Sequence, residues 1–337
     1  MNTQDNVTET AVASNLERHI TFYVLLILHI PSLCCSIFLL YHFKWKRLVS
    51  QIFGFLLIIN SLIILSELPF TLLQLYTVHS FSVDLCSLWI IINYSLFVLS
   101  IYVTTWASFE RYLFIFHEPF ISRHRILLHY TPLVLFSTYT PTFYTGMVIF
   151  YPCQQAFTDY IYTCGGPCYL FNNVSFLLDW NINVNLIVII TCIINIVIIL
   201  RNIIQRERMK KSIITAANRK QWHRTIKLSC QLFALSSLCG IGWIPYGIVS
   251  TIQILYNTPT ITYIFSRFII YLPYAQTLFL PYTCILFMPD MKQKITTIWK
   301  ESICFKIIYH QNRVHVDFIE QNITLGRIKT HLNQRTL

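Results

Sequence analysis

The sequence predicts an all-α membrane protein, a seven-transmembrane helix bundle followed by a short amphipathic eighth helix. The 337-residue chain is 55% hydrophobic and only 12% charged, whereas soluble domains contain about 25% charged residues. It has seven apolar runs that each reach the roughly 20 residues needed to cross a bilayer as a helix. Its Lys and Arg residues fall mainly in the gaps between those runs, as is typical of membrane proteins.

The apolar runs define the expected organisation of the chain. The predicted spans are residues 20–41, 52–75, 85–116, 127–151, 177–200, 226–255 and 261–288. The third is long and the seventh contains Pro273 and Pro281, so we expect both to be tilted or kinked. The fourth is rich in Tyr, Thr and Pro, and a six-span chain is the alternative if it does not cross. The expected domains are an N-terminal tail over 1–19, the bundle over 20–288, the amphipathic helix over 289–304 and a tail over 305–337.

Positive charge predicts the orientation, because short cytoplasmic loops carry an excess of Lys and Arg. These residues concentrate in the gaps after spans one, three and five, whereas only Arg18 and Arg267 stand near a span end on the other side. We therefore expect a multi-pass protein of the plasma membrane with an extracellular N-terminus and a cytoplasmic C-terminus. Glycosylation sequons at Asn6 and Asn173 fall on the predicted outer side. The same distribution argues against nucleic acid as the partner of the net charge of +11.

Four of the eleven cysteines fall on the predicted outer side, where the compartment is oxidising: Cys86, Cys153, Cys164 and Cys168. They are expected to form two disulfides, for which three connectivities exist. If residues 153–164 form a hairpin, Cys153 faces Cys164, and Cys168 is then available for Cys86.

Charged residues inside a span are costly to bury and therefore point to function. Glu67 is an acid in the outer half of span two. At the cytoplasmic end of span three stand Glu110, Arg111 and Tyr112. Arg111 follows Cys86 by 25 residues, which is about 37 Å of helix. One helix thus carries a predicted disulfide outside and an adjacent acid and base inside.

These motifs, in their order along the chain, resemble the rhodopsin-like (class A) G-protein-coupled receptors over about residues 20–304. The Glu110-Arg111-Tyr112 sequence matches the acid-Arg-Tyr triplet of that family, and Cys86 matches the cysteine that tethers its second outer loop. Three further matches are Gly242-Trp243-Ile244-Pro245 for Cys-Trp-x-Pro, Leu280-Pro281-Tyr282-Thr283-Cys284 for Asn-Pro-x-x-Tyr, and Asn60 nine residues before Pro69 in span two.

The chain also departs from the family and is similar to a divergent member. Asn60 replaces the buried acid of span two, and Leu280 replaces the Asn of span seven. At the foot of span six stands Thr225 rather than an acid. Any resting ion pair of Arg111 therefore has to rely on Glu110.

The resemblance implies a receptor that binds an extracellular ligand and activates a heterotrimeric G protein by outward movement of span six. Pro245 has no N–H, so span six bends where the carbonyl of Ile241 loses its partner. A ligand above Trp243 would bias that hinge, and Arg111 would then meet the G protein. Pro281 belongs to the span-seven motif of the same switch.

Helical position selects six candidate ligand-binding residues in the outer half of the bundle. They are Glu67, Asn93, Trp243, Tyr246, Arg267 and Tyr274. For each one, a hydrogen-bonded core residue is the alternative interpretation. Peptide, lipid and small polar ligands all remain open. Span seven has no lysine for a retinal Schiff base, and we expect no cofactor and no metal.

The segment after span seven predicts an amphipathic helix that lies on membrane lipid. Cys304 follows this segment and is a candidate for palmitoylation.

The alternative function is a seven-helix transporter or channel, which needs charges along a pathway. For such a pathway the spans offer only Glu67, besides Glu110 and Arg111 at the end of span three. No hydrolase motif such as Gly-x-Ser-x-Gly occurs, so we do not expect an enzyme.

Overall fold

The computed structural model confirms the seven-helix bundle of a multi-pass membrane protein. It describes residues 2–43, 45, 48–77, 81–124, 126–154, 162–210, 216–256, 258–287, 291 and 293–297, which contain no strand. Seven helices are long and apolar enough to cross a membrane, including the Tyr-rich fourth, so the six-span alternative falls away. They are α1 (Asn15–His42), α2 (Gln51–Thr77), α3 (Val83–Phe116), α4 (Ile126–Phe150), α5 (Asn173–Gln205), α6 (Leu232–Gln253) and α7 (Pro259–Phe287).

Several helices continue beyond their apolar spans. α1 is the apolar part of a helix that runs over Asn2–His42, and α6 lies within Ala216–Tyr256. The last part of α5 belongs to Leu186–Lys210. The sequence placed the start of the first helix at residue 20 because hydropathy marks only the part that crosses the bilayer. Backbone hydrogen bonding continues into the polar turns on either side.

The expected irregularity of the seventh span is a break rather than a bend. α7 consists of Pro259–Arg267, a 3-10 turn at Ile269–Tyr271 and a second helix, Pro273–Phe287. Pro273 lacks an N–H and therefore suits the first position of the second helix. By contrast, α3 is one unbroken helix, Val83–Phe116, capped by the Ser82 hydroxyl, which accepts from the backbone N–H of Leu85.

Four short π-helical segments interrupt the spanning helices, and three of them carry a buried polar side chain: Glu67, His129 or Asn183. The segments are Ile63–Glu67 in α2, Ile126–Tyr130 and Gly146–Phe150 in α4, and Trp180–Asn185 in α5. A π-turn adds a residue and so shifts which side chains face the core. Glu67 ends the first of these segments, and Asn183 lies within the last.

The buried fraction of each span indicates whether its helix lies near the axis of the bundle or at its edge. In α2 and α3 the most apolar window is 67% and 61% buried, against 22% in both α1 and α4. The former pair therefore lies near the bundle axis and the latter at its lipid-facing edge. α5 and α6 approach closely where Gly247 meets Asn185, because a Cβ at Gly247 would collide with the Asn185 side chain.

The loop between α4 and α5 is held by two disulfides, but the predicted connectivity is wrong. The bonds are Cys86–Cys164 and Cys153–Cys168. The prediction treated residues 153–164 as a plain hairpin. Instead, four consecutive residues, 163–166, have positive φ values of 51°, 54°, 90° and 83°. This left-handed run lies where the chain passes from Cys164, which is bonded to Cys86, towards Cys168, which is bonded to Cys153.

Residues 288–337 form a separate unit. Within it, Met291 and residues 293–297 are helical, inside the predicted amphipathic segment 289–304. Cys304 and the predicted tail over 305–337 lie outside the described residues. So do Lys44, Arg125 and residues 211–215 of the basic segment between α5 and α6.

Candidate functional site

A cavity of about 940 Å³ lies at the end of the bundle that carries the disulfides, hereafter the disulfide end. Known ligand cavities hold about 300–1,000 Å³. The loop contributes Thr163, Gly165 and Gly166 to its wall, beside the Cys86–Cys164 bond. Trp180 of α5 and Tyr246 of α6 contribute its aromatic side. The cavity is thus large enough for a small organic molecule and is framed by six of the seven helices and a cross-linked loop.

Beneath the cavity, aromatic rings lead to the middle of α6. The Tyr246 ring packs on Trp180 at a centroid distance of 5.1 Å and on Trp243 at 5.8 Å. Trp243 is buried, and its Nε1 donates to Oε1 of Gln276 in α7 at 3.0 Å. Phe97 of α3 packs edge-on against the same indole at 5.7 Å. Trp243 therefore joins three helices directly below the cavity.

Three charged residues stand at the mouth of the cavity, and one of them is a predicted ligand-binding residue. Arg267 Nε lies 3.8 Å from Oε2 of Glu17, and both side chains are about one-third exposed, 34% and 33%. The Tyr263 hydroxyl donates to Oε1 of Glu17 at 2.7 Å. Arg18 is the third charge. The sequence identified Arg267 but not its link to α1, because nothing in the sequence relates residues 250 positions apart.

A second group of predicted residues forms a buried cluster deeper in the bundle. Glu67 Oε1 accepts hydrogen bonds from Asn93 Nδ2 at 2.8 Å, from Thr71 Oγ1 at 2.9 Å and from the Tyr274 hydroxyl at 2.5 Å. Glu67 is fully buried, and its carboxylate joins α2, α3 and α7. Three predicted ligand-binding residues thus come together here, but they are not among the described residues that line the cavity.

A third polar cluster centres on an acid that the sequence interpretation overlooked. The sequence interpretation named Glu67 as the one acid within the spans apart from Glu110. That prediction is wrong, because Asp179 lies within α5 and is buried. Its carboxylate accepts from Asn183 Nδ2 at 2.6 Å, from Tyr169 at 2.9 Å and from Tyr144 at 3.2 Å. Burial, and then the Asp179 charge, raise the pKa of Tyr169 well above its ordinary value, so this phenol remains a donor.

The Asp179 cluster explains the composition of α4. Asn183 Oδ1 accepts from the hydroxyls of Tyr102 at 2.9 Å and Tyr139 at 3.1 Å. Tyr139 and Tyr144 are among the residues that make the fourth span poor in aliphatic side chains. An acid inside a predicted span, opposite a Tyr-rich span, was the available signal for this network.

At the opposite end of the bundle, the acid and base of α3 have different surroundings. Glu110 Oε1 lies 2.6 Å from Nδ1 of His129, whose Nε2 lies 3.1 Å from Oε1 of Gln51. Both ring nitrogens therefore face oxygen acceptors. The Arg111 guanidinium lies 4.9 Å from the centroid of the Phe53 ring. A Glu110–Arg111 pair is not among the salt bridges of the described residues, and Glu110 pairs with α4 instead.

The other predicted residues are placed as follows. Tyr112 packs beneath Arg201, whose guanidinium lies 5.1 Å from its ring centroid. Pro245 and Pro281 lie inside their helices, with Pro281 buried. Asn173 is exposed at the start of α5 and lines the cavity mouth. The backbone at Asn6 is helical.

The sequence matches no protein-family model, and no curated protein sequence matches it significantly.

Proposed function

We propose that the protein is a rhodopsin-like receptor that binds an extracellular ligand at the disulfide end and activates heterotrimeric G proteins from the opposite end. The observation that carries the proposal is the aromatic connection from the cavity to α6. Tyr246 lines the cavity and packs on Trp243, two residues before Pro245. A ligand that displaces Tyr246 would act directly on the segment of α6 that the proline weakens.

The two ends of α3 support the same proposal. Cys86 ties its first turn to the cavity loop, whereas Arg111 is buried near its other end. A buried guanidinium is retained at a cost in desolvation, which is typical of a group that is used when it becomes accessible. Outward movement of α6 would provide that access on the side proposed to be cytoplasmic.

Nucleotide exchange on purified G proteins tests the proposal. The protein, reconstituted in lipid discs, is screened with ligand pools against several G-protein classes. Ligand-dependent acceleration of exchange is expected. Ligand-dependent flux of ions or solutes in liposomes, with no exchange on any G protein, would contradict the proposal.

Replacing Arg111 with Ala is expected to reduce ligand-stimulated exchange at least about tenfold, because a charge-assisted contact to the G protein is lost. Ligand binding should change less than about threefold, since Arg111 lies at the end of α3 remote from the cavity. Arg123→Ala, which removes an exposed Arg from the short helix Glu118–Arg123, is the matched control. Normal exchange by the Arg111 variant would show that coupling uses another surface.

Sodium is expected not to stabilise the protein. Asn60 is buried and its Nδ2 forms no hydrogen bond within the described part of the chain, while Leu280 offers no oxygen. The Ser100 hydroxyl already donates to the Phe97 carbonyl at 2.7 Å. A hard cation needs charged or carbonyl oxygens.

Thermal unfolding in sodium chloride and in N-methylglucamine chloride at equal ionic strength should therefore give the same Tm within about 1 °C. The double variant Asn60→Asp with Leu280→Asn supplies two oxygen ligands and is expected to acquire a sodium-dependent rise in Tm. A sodium-specific rise in the wild-type protein that Asn60→Ala removes would refute this prediction.

Asp179 and Glu67 favour a transporter or channel as the second candidate function. Two buried acids in different helices are what a proton- or cation-coupled pathway requires. Each carboxylate is, however, engaged by three side-chain donors. Liposome flux measurements on Glu67→Gln and Asp179→Asn would decide, because a coupled transporter loses flux in at least one of them.

A further inference from the structure

The charge at the mouth of the cavity is unbalanced. Arg18, Arg267 and Glu17 are the only Lys, Arg, Asp or Glu residues among the described residues that line it, which leaves one net positive charge. Tyrosines supply the other titratable side chains of the lining, and their ordinary pKa near 10 keeps them neutral. The cavity therefore attracts anions over cations of equal size.

Glu17 compensates Arg267 only weakly. The distance of 3.8 Å between Arg267 Nε and Glu17 Oε2 exceeds that of a hydrogen bond. The other carboxylate oxygen, Oε1, accepts from Tyr263 at 2.7 Å. The donors of the guanidinium form no hydrogen bond with the rest of the described chain. Arg267 thus has donors available for a planar anion, for which the guanidinium fork is well suited.

Arg18 adds a second donor on the facing helix. Its Nε is buried and forms no hydrogen bond with any residue that the structure describes. A buried donor without an acceptor is a cost that a bound acceptor removes. Arg18 on α1 and Arg267 on α7 line the same cavity, and Arg18 follows Glu17, whose Oε2 lies 3.8 Å from Arg267 Nε.

The inner wall favours an apolar or aromatic body. Phe176, Trp180, Tyr246 and Phe265 line the cavity, and the Trp180 ring packs at 5.8 Å on Phe176 and 5.1 Å on Tyr246. Tyr246 packs edge-on against Phe265 at 5.2 Å. Aromatic faces bury flat or aliphatic groups without requiring a hydrogen bond.

We propose that the cavity binds an amphipathic organic anion, with its carboxylate-type head group between Arg18 and Arg267 and its apolar body against Trp180 and Tyr246. The assignment of this anion as an activating ligand rests on the proposed receptor function, but its binding does not. A cationic ligand is disfavoured because two guanidinium groups outnumber the one acid at the mouth. Glu17 Oε1 already accepts from Tyr263, and its Oε2, which accepts no hydrogen bond within the described chain, lies 3.8 Å from Arg267 Nε.

The first experiment measures binding directly on purified protein in discs of zwitterionic lipid. Three probes share one body and differ in head-group charge: 4-phenylbutyrate, 4-phenylbutyramide and 4-phenylbutylamine. The carboxylate is expected to bind at least about tenfold more tightly than either of the others, the gain of a charge-assisted hydrogen bond. Equal binding of the three probes, preference for the amine, or no carboxylate binding up to about 10 mM would overturn the proposal.

Variants then assign the site. Arg267→Gln and Arg18→Gln should each weaken carboxylate binding about tenfold, while the amide should bind as before. Glu17→Gln should strengthen it, since a competing carboxylate is removed. Arg123→Gln, an equal charge change at the other end of the bundle, is the control. Weaker carboxylate binding in Glu17→Gln, or an equal loss in Arg123→Gln, would contradict the assignment.

Two further measurements distinguish a lipid from a soluble anion as the ligand, and failure of the anion site from failure of the receptor function. If an anionic phospholipid in the disc competes with the probe, the natural head group enters from the membrane. If the phospholipid does not compete, the ligand is a soluble anion. Nucleotide exchange is measured in parallel. Carboxylate binding without exchange supports the site while the receptor function fails, whereas exchange driven by a cationic ligand supports the receptor function and overturns this inference.

Discussion

Replacing Cys86 with Ala is expected to lower the free energy of unfolding by up to about 4.5 kcal/mol, the larger of the two disulfide effects. The Cys86–Cys164 bond closes a loop with a sequence separation of 78, whereas Cys153–Cys168 spans only 15. In the chain-entropy description the longer loop loses more freedom, and the short one is worth about 3 kcal/mol. Cys164 also packs beside Trp89 in a small buried cluster, which the variant would loosen.

Thermal unfolding and the yield of folded protein measure this difference. Cys153→Ala is the comparison with a smaller expected loss, and Cys192→Ala, which removes a cysteine outside the disulfides, is the control. The cavity should also bind 4-phenylbutyrate more weakly in Cys86→Ala, because the disulfide no longer holds the loop residues Thr163, Gly165 and Gly166 in its wall. Equal stability of the Cys86 and Cys192 variants would show that packing alone holds the loop.

Replacing Asp179 with Ala is expected to cost about 3–5 kcal/mol, because three buried donors lose their shared acceptor. Tyr144, Tyr169 and Asn183 all point at this one carboxylate. Asp179→Asn keeps one acceptor oxygen at nearly the same volume and should cost less than half as much. The loop, α4 and α5 should loosen together, since each provides one of the donors.

Unfolding in a mild detergent, followed by Tm and by proteolysis of the loop, measures the effect. Asp84→Ala is the control: it removes an exposed acid from the first turn of α3, where the helix dipole makes it worth about 0.3–1 kcal/mol. If Asp179→Ala is as stable as Asp84→Ala, the hydrogen bonds of the cluster contribute no net stability.

The sequence predicted the bundle because lipid imposes strong rules on composition. Continuous apolar runs locate spans wherever the bilayer is the solvent, and all seven are confirmed. The Tyr-rich fourth span was the uncertain one, and two of its tyrosines, Tyr139 and Tyr144, prove to be hydrogen-bonded to Asn183 and Asp179.

The site was predicted only in part. Tyr246 and Arg267 line the cavity, whereas Glu67, Asn93, Trp243 and Tyr274 lie beneath it. Position along a helix predicts the depth of a residue in the membrane. The π-helical segments change which side chains point towards the core, and hydropathy does not reveal where these segments occur. The disulfide pairing failed for a related reason, because no propensity rule predicts left-handed φ at Thr163 and Cys164.

Tyr169 stands next to Cys168, so its bond to Asp179 also bears on oxidative folding. Its ring docks on the buried Ile90 and Val148, which brings the neighbouring thiol to the end of α4, where Cys153 is. Cys164 is meanwhile buried against Cys86 and Trp89. In the folded chain, the packing of Tyr169 and Cys164 therefore places the four cysteines in this one of the three possible pairings.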